Sequence, residues 1–141
     1  MGCDIHCTVE VYNKESNEWE RVTGKFGSFR GGSEEWALEI YDRRNYRLFG
    51  YLASVRDAEY DDMSYPRGYP YDCNPTSAKD VDDIDLHSHT YFTLTELLSW
   101  KLWWDKEVQE NITWFYMTTI GQLMLLDEDP DNVRLLICFD N

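Results

Sequence analysis

The sequence predicts an α+β fold in one domain spanning residues 1–141. The expected form is a small antiparallel sheet, built from an N-terminal hairpin and a C-terminal strand, packed by about three helices and crossed by a long acidic loop rich in Tyr and Pro. Three observations carry this reading. Residues 3–12 alternate apolar and polar, and residues 133–139 form a nearly unbroken apolar run. Between them apolar residues recur at helical spacing behind an explicit helix-start signal.

In the first segment Cys3, Ile5, Cys7, Val9 and Val11 share one face and Asp4, His6, Thr8, Glu10 and Tyr12 the other, the pattern of a half-buried strand. A polar turn around Asn13 to Asn17 leads into Glu18 to Thr23, the returning strand of a hairpin. Residues 24–35, rich in Gly and Ser, read as a loop in which Lys25-Phe26-Gly27-Ser28 is a weak anion cradle. Leu48, Phe49, Leu52, Ala53 and Val55 repeat at helical spacing, with Asp42 or Asn45 placed to cap a first helix over residues 45–55. Residues 57–91 read as a long loop, packed rather than disordered because of Tyr60, Tyr65, Tyr69, Tyr71 and Tyr91. Thr93-Leu94-Thr95-Glu96 is a capping box, with Phe92 and Leu97 placed as its hydrophobic staple. Val108, Ile112, Phe115, Thr119, Leu123 and Leu126 mark a third helix that Asp129-Pro130-Asp131 ends, and Trp100, Trp103, Trp104 and Trp114 crowd the helix pair. Val133 to Phe139 fits an interior strand covered on both faces.

With 43% hydrophobic and 16% aromatic residues, 141 residues suffice for a buried core. The balance of 13 Lys and Arg against 27 Asp and Glu gives a net charge of −14, which repels phosphate backbones and argues against direct nucleic-acid binding. Such a charge suits either a basic partner protein or a well-solvated surface. Cys3 and Cys7 would stand roughly 13 Å apart along one strand, too far to bridge. Without a signal peptide or long apolar run, Cys3, Cys7, Cys73 and Cys138 read as reduced thiols of a cytosolic protein, with no membrane contact. The opening Met1-Gly2-Cys3 departs from a myristoylation site because position six is His.

All the histidines fall in two clusters, Asp4-Ile5-His6 and His87-Ser88-His89. In extended chain, residues i and i+2 share a face, so each cluster is a two-point chelate, and together Asp4, His6, His87 and His89 offer a donor set for a divalent transition metal such as Zn or Mn. A catalytic version would leave one coordination position for water, with His6, His87 and His89 as the catalytic set. The competing reading has each histidine satisfied locally by hydrogen bonds, and a third has His6 and Asp4 doing acid-base work without metal. Tyr65-Pro66-Arg67-Gly68-Tyr69-Pro70-Tyr71 sets one Arg among aromatics in an acidic loop. Arg67 would there take a phosphate and Tyr65 or Tyr69 would stack on a base. Against this stands local charge balance and loop packing. Arg43, Arg44, Arg47 and Arg56 form a second basic patch, with Arg56 a candidate for the same pocket.

Met1-Gly2-Cys3-Asp4-Ile5-His6, Leu48-Phe49 with Leu52-Ala53 and Val55-Arg56, Pro66-Arg67-Gly68, His87-Ser88-His89 ahead of Leu94-Thr95, and Phe139-Asp140-Asn141 occur in that order. In them the chain resembles a group of small, functionally unassigned bacteriophage and bacterial proteins with an MGCDIH-like opening, a central PRG loop, an HS segment before a capped helix and a closing FDN. The resemblance implies a bacterial cytoplasmic setting, and a single site that includes Asp4, His6, Arg67, His87, His89 and Asp140.

Two functions follow as expectations. One is a phage-type counter-defence protein that binds a nucleotide-type signal, cyclic or ADP-ribose-like, and hydrolyses it where a metal assists. The other is an acidic mimic of nucleic acid that blocks a basic groove on a host defence enzyme, resting on Asp80, Asp82, Asp83 and Asp85. A role in phage assembly is the background alternative. Association into a homo-oligomer is left open.

Overall fold

The apolar run at the end of the chain becomes the centre of the molecule. A computed structural model describes residues 2–25, 35–37, 40–56, 64–100 and 114–141. In it the last strand, β6 (Val133–Asp140), is buried over its first seven residues. It lies between β1 (Asp4–Asn13) and β5 (His87–Thr93), and β1 also pairs with β2 (Glu18–Arg21), giving a sheet of order β2-β1-β6-β5. Every pairing is antiparallel. A strand with neighbours on both edges and layers on both faces is mainly apolar, which is why its sequence does not alternate; its one buried charge, Arg134, is paired.

Ile5 faces Phe139 across the β1–β6 ladder and Val9 faces Leu135, so their side chains share one face. Helix α1 (Tyr46–Ala53) lays Leu48, Phe49 and Leu52 in the same core, and Phe49 meets Phe139 edge-on at 5.0 Å. Full burial of a Phe or Leu contributes about 1.5–3 kcal/mol each, so this layer dominates the stability. Asn45 caps α1 by accepting from the Leu48 amide at 3.1 Å, as its position predicts, and Ser54 ends it in a left-handed conformation. Helix α3 (Leu94–Ser99) starts on the full capping box: the Thr93 hydroxyl receives the Glu96 amide and Glu96 receives the Thr93 amide. Phe92 and Leu97 of the staple are both fully buried, and Phe92 stacks on Trp100.

The other face departs from expectation. Glu10, expected at a polar surface, is fully buried against Arg134, which is 4% exposed. Glu10 Oε1 accepts from Arg134 Nε at 2.9 Å, and Oε2 accepts from the Asn74 amide and the Ser77 hydroxyl, both at 2.8 Å. Arg134 also donates to Asp72 and lies 3.7 Å from the Trp19 ring. These bonds dock residues 72–77, including the short helix α2 (Pro75–Ala78), onto the sheet. A 3₁₀ turn follows at Lys79–Val81. The segment expected as one loop over 57–91 is therefore partly structured, and its end is strand β5, the sheet edge. Residues 57–63 lie outside the described residues.

Two further differences concern the helices and the hairpin. The expected returning strand divides into β2 and β3 (Thr23–Lys25), and β3 pairs with β4 (Glu35–Ala37) in a separate two-stranded sheet. Positions 26–28 of the glycine loop lie outside the described residues, as do Trp103, Trp104, Val108 and Ile112. What is described of the third helix is a π-helical stretch, Phe115–Ile120, continuing into α4 (Gly121–Leu123). A 3₁₀ turn at Pro130–Asn132, capped by Asp129, leads into β6.

Candidate functional site

Because Ile5 points to the core, its neighbours Asp4 and His6 leave β1 on the other side, at the end of the sheet where the last residues of β6 arrive. Asp4 lies opposite Asp140 in register and His6 opposite Cys138, so His6 and Asp140 are diagonal neighbours. His6 Nε2 meets Asp140 Oδ2 at 2.8 Å, and Asp140 Oδ1 accepts the Asp4 amide at 3.3 Å. Asp4 in turn holds Arg44 by two bonds, 2.6 Å from Nε and 3.1 Å from Nη2. That guanidinium keeps the Asp4 carboxyl below its usual range. Arg44 lies so close on Gly2 that a side chain there would collide with it.

The histidines of β5 part company. From His87 opposite Phe139 to Thr90 opposite Ile137 the strand advances three residues against two on β6, a bulge in which Ser88 adopts φ 55°. The inserted residue breaks the i, i+2 relation. His87 stacks on Phe139 and bonds the Ser88 hydroxyl through Nδ1 at 2.9 Å, whereas His89 bonds the Asp80 carbonyl through Nε2 at 2.9 Å and meets Tyr69 edge-on. Tyr69 is raised far above the usual phenol range and Cys138 to about 11, both chiefly by burial. Among the described residues no group of three or more His, Cys, Asp or Glu is arranged to hold a metal ion.

Arg67 is likewise committed. Its guanidinium forms a bidentate pair with Glu96, 2.9 Å on each arm, donates to the Tyr91 carbonyl and lies 4.3 Å from the Tyr91 ring. Burial pushes Glu96 upward, but Arg67 and the Thr93 amide outweigh it and hold the carboxyl below its usual value. Tyr65 is 60% exposed and Tyr69 packs on His89. Arg56 lies over the Tyr46 ring and Arg43 over Trp114.

Two cavities lie at this end of the sheet among the described residues. An open cleft of about 600 Å³ at the sheet end is lined by Asp4, Arg44, Asp85, His87 and Asp140, with Gly2, Ile84 and Asn141. A pocket of about 190 Å³ beside it is lined by residues 5–8 of β1, with Arg21, Tyr41, Asp42, Asp80 and Leu86. His6 lines the pocket and its partner Asp140 lines the cleft, so this hydrogen-bonded pair stands between the two. Of the expected site residues, Asp4, His6, His87 and Asp140 meet here. His89, Arg67, Tyr65, Tyr69 and Arg56 line neither cavity. Sequence reasoning missed Arg21 and Tyr41 as lining residues. For Arg21 a signal existed, since the hairpin turn places it opposite Glu10.

A histidine oriented by a carboxylate can accept or donate a proton at its other ring nitrogen. Carboxylates of the cleft can accept hydrogen bonds from hydroxyl or amino groups. No family model, curated protein or solved structure matches this chain. No described helix is long and apolar enough to cross a membrane.

Proposed function

We propose that this protein binds a nucleotide-type signal, cyclic or ADP-ribose-like, and sequesters it as a phage-type counter-defence factor in a bacterial cytoplasm. The observation that carries the reading is the His6–Asp140 pair standing between a cleft of about 600 Å³ and a smaller pocket. The volume is of the size that encloses a small-molecule ligand. Acceptors on Asp4, Asp85 and Asp140 suit ribose hydroxyls and exocyclic amines, as an acidic side chain does for the ribose of dinucleotides. Metal-assisted hydrolysis with Zn or Mn would require Asp4, His87 and His89 to leave Arg44, Ser88 and the Asp80 carbonyl. Binding without turnover therefore fits the geometry better.

Titration calorimetry against cyclic nucleotides and ADP-ribose, followed by chromatography of the recovered ligand, tests this. Saturable heat, intact ligand and at least tenfold weaker binding by Asp140→Asn are expected. If no member of the set binds at millimolar concentration, the reading is wrong.

A second reading, the acidic mimic that blocks a basic groove, has its own support. Asp82, Asp83 and Asp85 are exposed on a turn in which the Asp83 side chain receives the Asp85 amide, and Ile84 among them is 96% exposed. A fixed acidic turn with an apolar tip suits a basic protein surface. Under this reading Asp80, Asp82, Asp83 and Asp85 changed together to Asn abolish inhibition of a host nuclease, while His6→Ala with His89→Ala leaves it intact.

A further inference from the structure

Arg21 forms no close ion pair with any described residue, in a chain of net charge −14. Its cross-strand neighbour is Glu10, whose two oxygens are already taken by Arg134, Asn74 and Ser77. Arg21 Nε is buried with no hydrogen-bond partner, and the guanidinium makes no ion pair with any described residue. It lines the pocket of about 190 Å³ together with Tyr41. Tyr41 is only 6% exposed and its ring packs edge-on against Phe115. Two donors thus border one small cavity, and the Arg21 Nε lacks the acceptor that buried polar groups ordinarily find.

We propose that this pocket is a seat for a small oxyanion, the carboxylate or phosphate group of a ligand, held by the Arg21 guanidinium and the Tyr41 hydroxyl. The inference rests on the nucleotide reading only in taking the phosphate of such a ligand as one source of the anion. A planar guanidinium presents paired N–H donors that match two oxygens of either group. Burial, with the nearby Cys7 adding to it, pushes Tyr41 up to about 12, so its O–H stays a donor at neutral pH. Asp42 and Asp80 also border the pocket and neither bonds Arg21, so the seat favours a group of low charge or one carrying a cation beside it. Arg67, bound to Glu96, does not compete for the role.

The test is a titration of the full chain with sodium acetate, sodium phosphate and, separately, ADP-ribose, read by backbone amide NMR shifts. Saturable shifts at Arg21, Tyr41 and residues 6–8 are expected with at least one simple anion. Arg21→Gln should weaken them tenfold or more, Arg21→Lys should recover part, and Tyr41→Phe should weaken them several-fold. Absence of saturable shifts with both simple anions, or shifts that survive Arg21→Gln, overturns the seat. Anion binding without ADP-ribose binding upholds the seat and removes the nucleotide reading. ADP-ribose binding indifferent to Arg21→Gln, with no anion shifts, does the reverse.

Discussion

Glu10→Gln keeps the shape of a fully buried side chain and removes its charge, so it measures what docks residues 72–77 onto the sheet. Glu10 accepts from Arg134 Nε at 2.9 Å on one oxygen, with Nη2 2.8 Å away in the ion pair, and from Asn74 and Ser77 on the other. Glutamine retains one oxygen. Its amide must face donors on the other side, leaving two donors without acceptors at about 1–3 kcal/mol each. Arg134 would keep only Asp72, whose side chain is 43% exposed. Breaking a buried pair on one side costs about 3–5 kcal/mol, in agreement with that estimate. With a urea m-value of about 2 kcal/mol/M, the midpoint should fall by about 2 M. The assay is urea unfolding followed by tryptophan fluorescence, with amide exchange at residues 74–86 as a local probe. A midpoint shift below about 0.5 M with those amides still protected would refute the view that this ion pair anchors the segment.

Other consequences are smaller. Thr93→Ala removes the cap hydroxyl of α3 and should lower stability by about 1 kcal/mol in thermal unfolding. Glu96 is depressed in the folded state, so its contribution is present above the unfolded value of about 4.3 and is lost as pH falls through the folded one. Arg67→Gln should accordingly move the acid-unfolding midpoint to higher pH. Tyr41 is raised to about 12, so its contribution is whole below the unfolded value of about 10 and disappears as pH climbs to 12. Across that window Tyr41 should add on the order of 2 kcal/mol to the alkaline loss, so Tyr41→Phe should lose less stability there than the unaltered protein, the remainder coming from Tyr69 and Cys138. Cys138, fully buried and raised to about 11, should resist a thiol reagent at pH 8 in folded protein and react on unfolding.

Local signals proved legible where the physics is local. The cap at Thr93 needs only the next three residues, Asn45 caps α1 from its own turn, and β6 announces its central place by the apolar run from Leu135 to Phe139 that burial on both faces demands. What remained hidden depends on distant chain. Glu10 reads as a surface residue because its partner Arg134 is 124 residues away. The strand β5 reads as loop because one inserted residue, Ser88 at φ 55°, spoils the alternation by which strands are recognised.

The same bulge explains why half of the histidine pattern held and half did not. On β1 the strand is regular, so Asp4 and His6 share a side and both reach Asp140, one through its amide and one through its ring. On β5 the extra residue turns His87 onto Phe139 and His89 onto Tyr69, and the described residues do not gather these donors about one point. The site is instead assembled from both ends of the chain, Asp4 and His6 against Asp140, with residues 84–87 closing the side. Arg21 becomes available by a further step that no spacing encodes. It lies opposite an acid, as hairpin charge pairing would ask, and is left over because a second arginine from the central strand has already claimed that acid. With its Nε unpartnered while Arg67 is held by Glu96, Arg21 makes the small pocket rather than the PRG loop the place to look for a ligand's charge.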